Sequence, residues 1–127
     1  MSQFNELLEK AKNMPQRQRL LFLFAKSTDM LDNSKNSHHS GTIDPVMCVD
    51  KRPEELTDFS ALVDEADGLT KSWNFIFVSS LSGKEGNDPS NEEVDLYLQR
   101  MSNGLAYGED LSKYLVWNRQ EQVILIS

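Results

Sequence analysis

Trp73-Asn-Phe-Ile-Phe-Val-Ser-Ser-Leu81 is the run on which the fold turns. Its middle is aromatic and β-branched with no polar interruption, too short for a buried helix, and it lies between two segments of helical periodicity. That combination predicts a strand covered on both faces, with helices as its cover.

Upstream, Leu56, Phe59, Leu62, Val63 and Ala66 form an apolar helical stripe that runs into Gly68, with Pro53 suited to an early helical position. Before that helix, Pro45-Val-Met-Cys-Val-Asp-Lys51 reads as a short strand. Strand, helix and strand in that order predict a parallel βαβ unit with a right-handed crossover. Downstream, Ser82-Gly-Lys-Glu-Gly-Asn-Asp-Pro89 is turn chemistry, and Ser90 with Glu93 three residues on makes a capping box. The helix it opens carries Val94, Tyr97, Leu98, Met101 and Leu105 on one face, and Gly104 and Gly108 bracket its expected end.

Towards the N-terminus, Phe4, Leu7, Leu8 and Ala11 share one face of a helix that Ser2 could cap, ending near Asn13. Leu20-Leu-Phe-Leu-Phe-Ala25 follows as a central or near-central strand. Residues 27–44 then turn polar and aperiodic, the composition of a long exposed loop, either functional or disordered. At the other end, Tyr114 to Asn118 and Val123 to Ile126 predict a hairpin. The expected fold is α/β (α+β): a single domain over residues 1–127 with a mixed five-stranded sheet, covered by about three helices in the order αββαβαββ.

Composition narrows the function. The 127 residues carry 13 Lys and Arg against 20 Asp and Glu, a net charge of −7 that repels phosphate backbones, so nucleic acid is not an expected partner. The longest strongly apolar run, Leu20 to Ala25, is far below the roughly 20 residues of a membrane span. No basic segment with an apolar core opens the chain, and a lone Cys48 cannot form an internal disulfide, so the expected location is the cytoplasm.

The chemistry-bearing motifs are few. Ser79-Ser-Leu-Ser-Gly-Lys-Glu-Gly86 resembles a phosphate loop only on the surface: Val78 stands where the first glycine is needed, and Glu85 where a hydroxyl would meet magnesium. Ligands of open parallel sheets bind beyond the carboxyl ends of strands, which nominates Asp50, Lys51, Ser80, Ser82 and Gly83 as ligand-binding candidates. The competing reading has Asp50 capping the next helix and the serines satisfying turn amides. Cys48 is a candidate reactive thiol, set against a buried structural one with no histidine nearby in sequence. His38 and His39 are adjacent and point apart on an extended chain, so no metal site is expected. The acidic pairs Glu54-Glu55 and Glu92-Glu93 open helices, where acidic side chains suit the dipole. No residue supports an enzyme assignment, and no cofactor is expected.

Arg19 to Ala25, Pro45 to Lys51, Phe59 to Asp67, Trp73 to Gly83 and Gln99-Arg-Met101 together resemble a family of small proteobacterial proteins that carry the label "ribonucleotide reductase subunit alpha". The match spans most of the chain. Reductase large subunits are far longer and use several cysteines for radical chemistry, whereas this chain has Cys48 alone, so reductase activity is not expected to follow. The helix before a strand and the Pro-Val strand before a helix are also similar, in topology alone, to the N-terminal domain of the enhanced-serine-sensitivity protein B group.

Two functions follow as expectations. One is a non-enzymatic interaction or regulatory module whose terminal edge, with Tyr114, Trp117, Val123 and Leu125, pairs with another protein or with a second copy, the competing reading being that these residues simply close the core. The other is a small-molecule-binding protein or enzyme using the C-terminal ends of the strands at 46–50 and 73–81.

Overall fold

A computed structural model describes residues 3–27, 43–107 and 114–124. The elements run α1 (Gln3–Lys12), β1 (Gln18–Ser27), β2 (Ile43–Lys51), a 3-10 turn (Pro53–Glu55), α2 (Phe59–Asp67), β3 (Phe75–Ser82), α3 (Asn91–Ala106) and β4 (Leu115–Asn118). The four strands form one sheet in the order β2-β1-β3-β4, and every neighbouring pair is antiparallel.

β1 decides the architecture. Leu20, Phe22 and Phe24 point to one face and Leu21, Leu23 and Ala25 to the other, and all six are completely buried. A strand can hide both faces only if both are covered. α1 and α2 pack on the Phe22 side, together with Ile76, Val78 and Trp117. α3 covers the other side over Leu21, Leu23, Phe75, Phe77 and Val116. Each such Leu or Phe contributes roughly 1.5–3 kcal/mol through removal from water.

The mixed sheet and the parallel βαβ unit are corrected here. β2 and β3 do run in the same direction, since each is antiparallel to β1, but β1 lies between them. Continuous apolar runs report burial on two faces, and burial does not encode strand direction. The fifth strand is also corrected. After β4 the chain turns at 118–122 and comes back, with Asn118 N–H donating to the Gln122 carbonyl at 3.0 Å and Ile124 N–H to Val116 at 2.9 Å. Among the described residues this return is a single bridge between Trp117 and Val123, not a strand. The long loop at 27–44 lies mostly outside the described residues, and β1 and β2 extend into its two ends.

Local chemistry explains the helix starts. Ser90 Oγ accepts from Glu93 N–H at 3.1 Å while the Glu93 carboxylate accepts from Ser90 N–H at 3.2 Å, which closes the capping box. Asp58 caps α2 by accepting from Ala61 N–H at 2.8 Å. Pro53 opens a separate 3-10 turn instead of α2 itself. α1 is held by a distant group: the Glu121 carboxylate accepts from Phe4 N–H at 2.9 Å. Phe4 then sits edge-on to both Phe59 and Trp117, with ring centroids 5.9 Å away in each case.

Candidate functional site

The antiparallel order still brings the carboxyl ends of β2 and β3 to one end of the sheet, beside the start of β1. All five ligand candidates lie at that end, and internal contacts occupy four of them. Arg19, itself 6% exposed, places Nη1 2.6 Å from Asp50 Oδ2. Asp50 therefore neutralises a buried guanidinium and caps no helix. Lys51 Nζ lies 2.9 Å from Glu65. Ser82 Oγ accepts from Gln18 Nε2 at 2.8 Å. Gly83 N–H donates to the Arg17 carbonyl at 2.7 Å. A Cβ on Gly83 would fall 1.8 Å from the Asn87 carbonyl oxygen, so this glycine closes a tight turn. Ser80 is exposed on the α1 and α2 side, opposite Leu20, whose other neighbour in the sheet is Lys51.

A cleft of about 210 Å³ does open at this end, between the end of α1, the 3-10 turn and Asp88. None of the five candidates lines it; Lys12, Arg17, Gln18, Glu54 and Asp88 do. Gln18 is buried, and its side-chain oxygen has no hydrogen-bond partner.

Cys48 is exposed on β2, which corrects the buried thiol of the competing reading. The protein around the sulfur still desolvates it in part and pushes its pKa up, away from the thiolate that a nucleophile needs. No three His, Cys, Asp or Glu side chains converge on a possible metal position among the described residues. His38 and His39 lie outside them.

The terminal edge is rearranged most. Trp117 is completely buried between Phe4 and Phe59 and donates its indole N–H to Gln3 Oε1 at 3.3 Å, so it cannot serve as an exposed interaction residue. Tyr114 is half-buried and edge-on to Phe77 at 6.3 Å. Val123 is partly exposed and covers β4 through its bridge to Trp117. Leu125 lies outside the described residues. Arg119 locks this corner: it donates to both Asp67 carboxylate oxygens at 3.0 and 3.1 Å, and to the carbonyls of Trp73 and Lys71. Its guanidinium also stacks 3.9 Å from the Trp73 ring centroid. The hydrogen bonds from Arg119, with help from its charge and from the Trp73 indole, hold the Asp67 carboxyl below its ordinary pKa.

The open edge is at the other side of the sheet. β2 has β1 on one flank only, and no described strand pairs with the other. Val46, Met47 and Val49 are half-buried along it and pack against the core under α1 and α2. Val46 is the extra residue of a bulge, since Phe24 pairs with Met47 and Ala25 with Pro45. Pro45 was the sequence signal for this placement: a proline in a strand has no N–H for a ladder and belongs at an edge or a bulge. Compared with known proteins, the chain matches no family model, no curated protein and no solved structure.

Proposed function

We propose that this chain is a cytoplasmic, non-enzymatic interaction module that takes an extended segment of a partner protein onto the free edge of β2. The observation behind this reading is the nine-residue strand Ile43–Lys51, one flank of which no described strand pairs. Every second residue of an edge strand turns its N–H and C=O outward, and an added strand satisfies them. Pro45 and the bulge at Val46 spoil one end of the edge, as in proteins that limit indiscriminate pairing. The segment Met47 to Lys51 remains regular. The net charge of −7 disfavours a second copy of the chain and favours a neutral or basic partner segment.

The test uses proline substitutions at Met47, Cys48 and Val49. Those whose N–H faces β1 break the ladder and unfold the sheet, while an outward one leaves the circular dichroism unchanged and blocks only the edge. The expected result is a stoichiometric protein captured from native cytosol by the parent chain, lost with the folded proline variant, and slowing amide exchange across residues 43–51. Retention of every partner by that variant, or slowed exchange elsewhere only, refutes the reading.

One observation favours the small-molecule alternative: the unpartnered, buried oxygen of Gln18 beside the 210 Å³ cleft. Thermal shift with a metabolite panel, repeated on Gln18→Leu, tests it. A ligand at a hundred times its Kd stabilises by about 2.7 kcal/mol.

A further inference from the structure

The inward positions of β3 on the α3 side are Phe75, Phe77, Ser79 and Leu81, of which the three apolar ones are buried. Ser79 breaks that pattern. It pairs with Leu21, whose side chain lies under α3, so the serine is directed to the same covered face. A small polar side chain where neighbours are large leaves space, and a cavity of about 250 Å³ is found there, lined by Ser79, Tyr97, Arg100, Met101 and Tyr114.

The lining has a consistent chemistry. Met101 is buried and gives an apolar floor. Tyr97 and Tyr114 give two aromatic walls, Tyr114 being braced edge-on by Phe77. The Arg100 guanidinium lies 5.6 Å from the Tyr97 ring centroid. Its helical neighbours three and four residues away are Tyr97, Leu96, Asn103 and Gly104, none of them acidic. The ion pairs of the described residues join Arg19, Lys51, Arg52 and Arg119 to carboxylates and leave Arg100 without one. The Ser79 hydroxyl likewise has no hydrogen bond from a described side chain.

We propose that this cavity binds a small aromatic carboxylate, the ring between the tyrosines and the carboxylate on Arg100 and the Ser79 hydroxyl. A planar carboxylate matches the guanidinium fork through two parallel hydrogen bonds. A doubly charged phosphate would call for more than one cation, and the chain as a whole is acidic. The volume lies below the roughly 300–1,000 Å³ of sites for larger ligands, which sets the size at a single ring. This site is on the α3 face and is independent of the β2 edge.

The test is titration of the full ¹⁵N-labelled chain with benzoate and with benzamide, its neutral counterpart, followed by two-dimensional NMR. Benzoate is expected to move the Ser79, Arg100 and Tyr114 amides saturably, with benzamide at least tenfold weaker. Arg100→Met removes the charge from an exposed helical position and is expected to weaken benzoate at least tenfold while the remaining spectrum stays in place. Ser79→Leu is expected to fill the cavity and abolish the shifts. Absence of saturable shifts at millimolar benzoate, equal binding of benzamide, or an unchanged affinity in Arg100→Met overturns the assignment.

Discussion

The pair Arg19 and Asp50 offers a sharp test, because its two members sit in different surroundings. The Arg19 side chain is 8% exposed and that of Asp50 35%. Arg19 also donates to the buried Pro89 carbonyl at 3.3 Å, and its Nε has no partner. Asp50→Ala leaves a buried guanidinium without its counter-charge, a situation that costs about 3–5 kcal/mol when the remaining ion is fully enclosed. The partial opening of this site to water sets the expectation at the low end, about 3 kcal/mol. Arg19→Met removes the buried charge and the orphaned Nε together, and leaves Asp50 with water to solvate it. Its penalty is one long hydrogen bond to Pro89, about 1 kcal/mol. Asp50→Ala is therefore expected to destabilise by about 2 kcal/mol more than Arg19→Met, although each deletes the same ion pair. Urea unfolding followed by the fluorescence of the buried Trp73 and Trp117 measures both. With a slope near 2 kcal/mol per molar, the two midpoints should differ by about 1 M. Equal losses, or a larger loss in Arg19→Met, would show that the arginine stabilises the fold outright and would refute the reasoning.

The Arg119 and Asp67 clamp predicts an acid limb. Because the folded carboxyl is held below its ordinary pKa, its contribution is complete above the unfolded value and disappears as pH falls through the folded one. Stability of the parent chain should drop over that acidic window, and Asp67→Asn should flatten the drop; an unchanged acid limb in the variant would remove Asp67 as its cause. Gly83→Ala should cost about 3 kcal/mol, the upper range for overpacking, since its methyl would strike backbone. Gly86→Ala, at φ +81° in open space, should cost only the left-handed penalty of about 1–2 kcal/mol, and chemical denaturation of both variants checks the order. Cys48 should react with a disulfide reagent in the native state, because it is exposed, yet more slowly at neutral pH than a free thiol, because its pKa is raised. Reaction only on unfolding would contradict that exposure.

Much of the local structure was legible in the chain. The Ser90 and Glu93 box, the stripe from Phe59 to Ala66 and the run Leu20 to Ala25 each encode their element through contacts within a few residues, so periodicity and capping reveal them. The candidate site was legible in location alone. Asp50, Lys51, Ser82 and Gly83 do meet at one end of the sheet, but Arg19, Glu65, Gln18 and Arg17 meet them there, and those partners are 14 to 66 positions away in sequence. No local pattern announces such pairings. Trp117 could be read either as an edge residue or as part of the core, because its neighbours look like a terminal strand; the packing of Phe4 and Phe59 over it, decided by α1 and α2, places it in the core.

The three helices, four of the five expected strands and the covering of the central strands on both faces were readable from the chain, because periodicity and capping act over one or two turns of it. The antiparallel order β2-β1-β3-β4, the burial of Trp117 and the flank of β2 that no described strand pairs were set by long-range packing. The reason is physical: an apolar strand gains the same burial from a parallel or an antiparallel neighbour, so the choice rests on which long-range set of contacts closes the core with its polar groups paired.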